Sequence, residues 1–465
     1  MEQVTIPNAN AMPAPTWHKL RVNDVDIELP ANLQAIQKVE VNASEPTKAS
    51  PTAAHQVNNQ ATPPAALEGE VTEGESTESA WDKALCRASS SSPCAAGELG
   101  EQPAMRAADV GISPVRQGTL PAAQKREEAK GAEMDEVALS GYQVGSFESR
   151  YLSAEDTFTT GMGADASEYL EFVAGEPLVF ATQPGEQTCA TVRLEGVDGA
   201  VNAATIDVIA APDSQFSLAI ALDSPAPGAG VVGTRLRVFA NTNAQVDVTT
   251  TQTLDDTWVA LDDTGALLAE NARLNVRHTV LGAGRAYTGL AADLRGNDAR
   301  LDVTTRYAGQ ADQLRDFNYA VTQRGRRTHA NLEANGVLAG ASQKTLRGTI
   351  DLVHGCKGSE GSERETVLLA DERVENRTVP VILCSEDDVA GNHGATIGHV
   401  RPEQLFYLTS RGIAPDAAER LFMVAAFEQA AFEAPDPRTR EAVIRLAATR
   451  TINLDLDLGQ QEMIA

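Results

Sequence analysis

The chain has 465 residues, of which 38 are basic and 65 acidic, giving a formal net charge of −27 and an isoelectric point near 4.6. A chain this acidic repels phosphate backbones and anionic lipid surfaces, so neither nucleic acid nor a membrane is expected as a partner. Aromatic residues make up only 5% of the sequence. The composition therefore predicts an aliphatic core in stacked β-structure rather than an aromatic-rich enzyme pocket.

Targeting signals and cysteines indicate the compartment. The first residues contain no basic stretch followed by an apolar run, so no secretory signal is predicted, and no stretch reaches the roughly 18 apolar residues of a membrane span. The five cysteines are Cys86, Cys94, Cys189, Cys356 and Cys384. They are odd in number and form no C-x-x-C pair, so a disulfide framework is not expected and a reducing cytoplasm is the natural compartment.

The N-terminal part divides into two segments. Residues 1–36 are predicted to be ordered, because TWHKLRVNDVDIELP alternates apolar and polar residues before a closing proline. Residues 37–145 are interpreted as a mostly disordered, low-complexity insertion. They are rich in Ala, Pro, Thr, Ser and Glu, and bury too little apolar surface to offset the entropy of ordering. Good helix formers around Pro121–Leu139 predict a short helix within it.

Residues 146–400 are predicted to form the β-rich core. From about Glu168 to Cys384, short runs of alternating apolar and polar residues are separated by Gly, Asn and Asp. An Arg-Leu-x-Val pattern recurs at Leu236, Leu274 and Leu301, at unequal spacings. No propeller-blade signature is visible, and a β-sandwich of this length normally splits at a linker. The pattern favours a parallel β-helix, which accepts rungs of variable length, over the sandwich that remains the alternative.

Residues 401–465 are predicted to be helical. Pro402 opens a first helix that Gly412 ends, Pro415 begins a second, and a third is expected from about Thr439 to Arg450. The second helix has a broad apolar face formed by Leu421, Phe422, Val424, Ala425, Phe427, Ala431 and Phe432. At the end of a β-helix such helices would cover the open edge of the last rung and offer an apolar surface to a partner.

His393 is the clearest candidate for chemistry. It lies in GNHGATIG, a glycine-rich segment predicted to be a loop, where a neutral imidazole can bind iron, although an ordinary turn residue is the alternative. Together with His354, Cys356 and Cys384 it fits no familiar zinc-finger spacing. Cys384 follows the apolar run Val381–Leu383 and is interpreted as a buried structural thiol.

Enzymatic signatures are weak. Two acidic groups, Asp371 with Glu372 and Glu386 with Asp387 and Asp388, suggest a carboxylate enzyme acting on polysaccharides. Such enzymes are usually secreted and rich in aromatic residues, and neither property is found here. The sequence has no Walker A motif, nucleophile elbow or H-E-x-x-H motif. The chain is therefore predicted not to be an enzyme, and any nucleotide hydrolysis is expected in a partner.

Three segments between about Leu314 and Ala430 carry a family resemblance. They begin with DFNYAVTQRGRRTHANLEANG, VLLADERVENRTVPVILC and PEQLFYLTSRGIAPDAAERLF, and the combination of HGATIG with LFYLTSRGI is the most specific feature. In this order they resemble the SufB/SufD family of iron–sulfur cluster assembly scaffolds, as does TWHKLRVNDVDIELP. The resemblance implies a right-handed parallel β-helix with a C-terminal helical subdomain.

The resemblance also implies partners and site residues. A SufD-type chain pairs with a SufB-type scaffold and docks a SufC-type ATPase in a SufBCD complex. His393 matches a histidine proposed to act with a SufB cysteine on a nascent cluster, which makes it a candidate metal ligand. The implied SufC-docking residues are Leu405, Phe406, Tyr407, Arg411, Gly412, Leu421 and Phe422. The expected cargo is a transient Fe–S cluster at the SufB interface, with no cofactor held stably by this chain alone, and a flavin in the complex remains open.

Departures from the family pattern bear on the branch. SufB-type chains carry a cysteine in the segment that here reads DERVENRT, and a glutamate where this chain has Gly394, so the SufD branch is favoured. Gly391 stands where some SufD chains have a cysteine. The alternatives are a SufB-like homodimeric scaffold and, from a different class, a β-helix enzyme on polysaccharide. The sequence does not determine whether the chain itself binds iron or flavin. It also does not determine the stoichiometry of the complex or the roles of Cys384 and of the insertion at residues 37–145.

Overall fold

The computed structural model describes residues 4–14, 22–43, 47–48, 158–399 and 402–450. The strands in chain order are β1 (Thr5–Ala9), β2 (Val25–Glu28), β3 (Gln34–Ile36), β4 (Val39–Ala43), β5 (Thr47–Lys48), β6 (Leu178–Ala181), β7 (Glu186–Glu195), β8 (Ala200–Ala210), β9 (Gln215–Asp223), β10 (Gly230–Ala240), β11 (Gln245–Thr253), β12 (Trp258–Leu268), β13 (Arg273–Val280), β14 (Arg285–Leu294), β15 (Arg300–Gly309), β16 (Leu314–Gln323), β17 (His329–Leu338), β18 (Gln343–Leu352), β19 (Ser359–Leu369), β20 (Glu375–Cys384) and β21 (Val389–His399). The helices are α1 (Ala164–Ala174), α2 (Pro402–Ser410), α3 (Pro415–Phe432) and α4 (Pro437–Thr449). None of the helices in these ranges combines the length and the hydropathy that a bilayer crossing requires.

Two parallel sheets form the core. From β6 onward the even-numbered strands pair in one sheet and the odd-numbered strands in the other, each strand in parallel with the next member of its sheet. One even strand and the following odd strand make one rung, and about eight rungs stack into a parallel β-solenoid. The predicted parallel β-helix is therefore confirmed.

The turns between the two sheets explain the Asn and Asp residues that separate the strands. In five consecutive rungs one turn residue has a φ between 52° and 61°, namely Asp213, Asn243, Asn271, Asp298 and Arg327. Asn and Asp enter this left-handed region at lower cost than most residues. Each of these five N–H groups donates to a carbonyl oxygen in the turn of the next rung, at 2.8–3.0 Å. The turns therefore stack in register, as the strands do.

The interior between the sheets is aliphatic over most of its length, as the composition predicts. The Arg-Leu-x-Val pattern proves to have two structural origins. Leu274 of β13 and Leu301 of β15 are in-register neighbours in the odd-numbered sheet, whereas Leu236 lies in β10 and pairs with Ile206 and Thr264 in the even-numbered sheet. The repeat therefore reflects a shared strand composition rather than one stacked position.

The outer face of the even-numbered sheet is covered by the N-terminal segment and by α1. The buried Arg347 donates to the carbonyl oxygens of Val22 and Asp24 and forms a 2.6 Å ion pair with Asp316. Gly233 leaves room for Leu170 of α1, because a Cβ there would approach the leucine side chain to 2.6 Å. The β-prone interpretation from Glu168 onward is wrong for residues 168–174, which belong to α1.

Two predictions concern the chain before α1. Residues 39–43, assigned from sequence to the insertion, form β4 and pair antiparallel with β7. The helix predicted around Pro121–Leu139 lies outside the described residues, as does most of the 37–145 segment.

The C-terminal helices have the predicted order. Gly412, with φ of 89°, follows α2, and α3 begins at Pro415. Helix α4 begins at Pro437, two residues before the expected start, because the Asp436 side chain accepts a 3.0 Å hydrogen bond from the N–H of Thr439 as an N-cap.

The position of these helices differs from the prediction. Phe427 and Val443, from α3 and α4, pack with Ala308, Val337 and Leu368 on the flank of the odd-numbered sheet. The expectation that they cover the edge of the last rung is wrong. The helices instead bury the aliphatic residues that end β15, β17 and β19.

The packing of α3 generates a stability prediction. Phe427 is fully buried (0% exposed), whereas Phe432 on the same helix is 66% exposed. We expect Phe427→Ala to lower the free energy of opening of α3 and α4 by about 3–5 kcal/mol, through lost burial and the cavity left behind. Phe432→Ala, the matched control, should change it by less than about 0.5 kcal/mol. Hydrogen exchange of the helical amides measures both, and equal effects would contradict the packing described.

Candidate functional site

The last rung of the solenoid forms an open end. In the part of the chain that the structure describes, β20 pairs only with β18 and β21 only with β19. Apart from Val389 and Gly398, every residue of β21 is exposed. The free edge of β21 therefore presents unpaired backbone N–H and C=O groups, which are a template for pairing with another strand.

His393 lies in the middle of β21, so the interpretation of this segment as a loop is wrong. Glycine-rich segments have low strand propensity, but pairing with β19 supplies the ladder that holds this segment extended. A Cβ built on Gly391 would contact Ile382 and Leu352 of the interior. His393 is two residues further along the strand, so it shares that inward face, at the exposed end of the solenoid.

One rung below His393 lies a buried carboxylate that the sequence analysis missed. Glu363 of β19 is the in-register neighbour of His393 and is only 6% exposed. Its Oε2 has no hydrogen-bond partner among the described residues. Burial, reinforced by repulsion from Glu365 and partly offset by Lys344, raises the pKa of Glu363 to about 7.

Glu365, two residues further along β19, is fully paired. Its Oε1 accepts hydrogen bonds from Lys344 Nζ at 2.5 Å and from Tyr307 Oη at 2.9 Å, and its Oε2 accepts one from Thr378 Oγ1 at 2.5 Å. Burial lowers the pKa of Lys344, and the attraction of Glu365 opposes that shift. The rung formed by β18 and β19 thus contains an ion pair and one further carboxylate.

A second polar group lies deeper in the solenoid. Tyr319 Oη is 3.1 Å from His278 Nδ1 and 2.6 Å from Thr305 Oγ1. Asp262 Oδ2 is 3.7 Å from His278 Nε2, and Asp262 also accepts a hydrogen bond from Thr234. Burial raises the pKa of Asp262 and lowers that of His278, because the interior disfavours the charged form of each group.

The zinc set considered from sequence is not assembled. Among the described residues there is no group of three or more His, Cys, Asp and Glu side chains placed to hold a metal ion. Cys356 is buried but Cys384 is exposed, so the prediction of a buried thiol at 384 is wrong. Cys384 ends β20 in the last rung, where no further rung covers it, and its Sγ donates to the Glu386 carbonyl oxygen at 3.2 Å.

The acidic groups considered as enzymatic carboxylates have structural partners. Asp371 forms a 2.8 Å ion pair with the neighbouring Arg373, and the hydrogen bonds from Arg373 lower the pKa of Asp371 to about 2. Glu386 accepts a hydrogen bond from the N–H of Gly355 at 2.9 Å, which lowers its pKa. Asp371 thus binds within its own turn and Glu386 binds the turn of the preceding rung.

The C-terminal helices expose an apolar surface. Phe406, Tyr407 and Leu421 are exposed, and the Arg411 guanidinium lies 5.1 Å from the centre of the Tyr407 ring. Phe422 is half-buried and packs with the helical core. Of the other residues implied by the resemblance, Gly412 ends the α2 turn, and the side chain of Leu405 is outside the described set. Apolar surface of this kind marks sites of protein–protein contact.

The sequence of this chain is similar to a family model and to several known proteins. Residues 192–427 match a family model described as "SUF system FeS cluster assembly, SufBD core domain". The chain is 27% identical over 157 residues to the iron–sulfur cluster assembly protein SufD of Bacillus subtilis, covering 34% of this chain and 36% of that protein. It is 24% identical over 159 residues to SufD of Escherichia coli, covering 34% and 38%.

A third relative is named only as a member of the SufBD family, not as SufB or SufD. The chain is 32% identical over 143 residues to an iron–sulfur cluster assembly SufBD family protein of Mycobacterium tuberculosis, covering 30% of this chain and 17% of that protein. The matched region thus spans little more than a third of either SufD relative. The family model covers the solenoid from β7 through β21 and extends into α3, and the resemblance inferred from sequence is confirmed. This chain belongs to the SufBD family of iron–sulfur cluster assembly proteins.

Proposed function

We propose that this chain is a non-catalytic scaffold subunit of the SufD type, which pairs with a SufB-type chain and docks a SufC-type ATPase in the cytoplasm. The observation that carries the proposal is the open last rung, whose free strand holds His393 on its inward face. The similarity to two proteins named SufD supports the branch, as does Gly394 in the place of a glutamate.

The SufB-type partner binds at β21 in this proposal. A partner strand beside β21 would extend the odd-numbered sheet across the interface and satisfy its exposed backbone groups. The same pairing would bring residues of the partner close to His393. The SufB-like alternative, a homodimer through this edge, is disfavoured because the segment DERVENRT contains no cysteine.

The SufC-type ATPase binds the helical surface formed by Phe406, Tyr407 and Leu421. These side chains are exposed on α2 and α3, while the opposite face of α3 is anchored to the solenoid through Phe427. A partner bound at α2 and α3 is therefore mechanically connected to the β-solenoid. A movement driven by nucleotide hydrolysis in the partner would in this way be transmitted to the scaffold.

The cluster is cargo rather than a resident cofactor. His393 would contribute an imidazole ligand to iron, and a cysteine of the partner would contribute a thiolate, which is a suitable set for a nascent cluster. Separation of the two chains removes half of the ligands. A site divided between two chains therefore favours transient binding and release.

The docking proposal is tested by co-expression with the SufB-type and SufC-type proteins of the same host. We expect a tag on this chain to recover a stoichiometric complex of all three. The triple substitution Phe406→Ala, Tyr407→Ala and Leu421→Ala should lose the ATPase and retain the SufB-type chain, because it removes only the exposed apolar surface. Glu441→Ala, at an exposed position of α4, is the control. Recovery of the tagged chain alone, with both partners soluble, would refute the assignment.

The role of His393 is tested in the purified complex. His393→Ala should leave the complex intact and lower the yield of reconstituted cluster, measured by visible absorbance and bound iron, by roughly tenfold or more. His354→Ala is the matched control, because its side chain is 87% exposed and lies in a turn. A full cluster yield in the His393 variant would rule out ligation by this residue.

A further inference from the structure

Glu363 is a buried acidic residue that forms no ion pair with any residue that the structure describes. Lys344, a buried cation that acts electrostatically on Glu363, is held by Glu365 at 2.5 Å and also donates to the Arg377 carbonyl oxygen and to Thr378. Glu363 Oε2 has no hydrogen-bond partner among the residues that the structure describes. A buried oxygen without a partner carries a desolvation cost, which a ligand would offset.

The fold leaves room for this carboxylate. A Cβ built on Gly348 of β18 would lie 2.4 Å from Cδ and from both carboxylate oxygens of Glu363. Any side chain at 348 would therefore displace the carboxylate from its position. The absence of a side chain at Gly348 in the facing sheet therefore fixes where the carboxylate of Glu363 lies.

His393 is placed to bind the same metal ion as Glu363. The two residues are in-register neighbours in parallel strands and face the same side, so their backbones are about 4.8 Å apart. Two ligand atoms on one first-row metal ion, each about 2.1 Å from the metal, lie roughly 3–4 Å apart. Only a small convergence of the two side chains is needed, and His393 can supply it because β21 is exposed.

We propose that Glu363 and His393 together bind one divalent first-row transition cation at the open end of the solenoid. An imidazole nitrogen and a carboxylate oxygen suit iron in its ferrous state. The inference rests on the proposed function for the identity of the cargo as iron. It adds a second ligand from this chain, so that iron is held on the scaffold before the partner's thiolate completes the site.

Cobalt(II) is the probe, because it is stable in air and its visible absorbance reports the ligands. The full-length chain alone is titrated with Co²⁺ at pH 7.5 against Glu363→Gln, His393→Gln and the double variant. We expect each single variant to bind Co²⁺ at least tenfold more weakly than the wild-type chain, as read from the visible absorbance band. The double variant should bind little more weakly than either single variant. Glu360→Gln is the control, since Glu360 is an exposed neighbour on the opposite face of β19.

The outcomes separate this inference from the proposed function. Equal Co²⁺ binding by the wild-type and Glu363→Gln chains, or no visible band in the wild-type chain, overturns the two-residue site. Glutamine keeps the shape of the side chain and removes a buried charge, and His393→Gln changes only the exposed end, so a folding defect would not mask the result. Recovery of the complex with SufB-type and SufC-type partners is measured on the same variants. If the wild-type chain fails to recover the complex, the scaffold function is refuted, but the result on metal binding still holds.

Discussion

The in-register stacking of parallel strands determines where every side chain of the core lies. Each residue of one rung has a fixed neighbour one rung above and one below, as Val208, Val238 and Ala266 show in the even-numbered sheet. The turns keep this register because their left-handed residues repeat and their N–H groups bond to the next turn. A shift of one residue would exchange the inner and outer faces of a strand, which the aliphatic interior does not tolerate.

This constraint also produces the candidate site. A stacked core is covered at each level by the next rung, so the last rung remains partly open unless another element covers it. Helices α3 and α4 pack on the flank instead, and the inward residues of β20 and β21 remain accessible. The buried Glu363 and the ion pair of Lys344 with Glu365 therefore lie in the rung formed by β18 and β19, directly beneath the accessible His393 of the last rung.

The sequence predicted the features that depend on local pattern. Strand runs, turn residues and helix starts at proline are all visible over a few positions. The interior cluster was missed because its members are distant in sequence. Tyr307 and Glu365 are 58 residues apart and Lys344 and Glu365 are 21 apart, and only the register brings them together. In SEGSERETV the charged residues of both faces alternate, which hides the inward pair of acids. The exposure of Cys384 was missed for a related reason, since an apolar strand gives no sign that it is the last of the stack.

The free edge of β21 has a consequence for the isolated chain. An exposed strand edge is also a template for pairing with the same edge of a second copy. Two properties oppose that outcome. The sequence GNHGATIG has little of the β-branched and aromatic content that stabilises chance pairing, and a net charge of −27 makes two copies repel each other. The acidity of this chain thus opposes self-association through the free edge of β21.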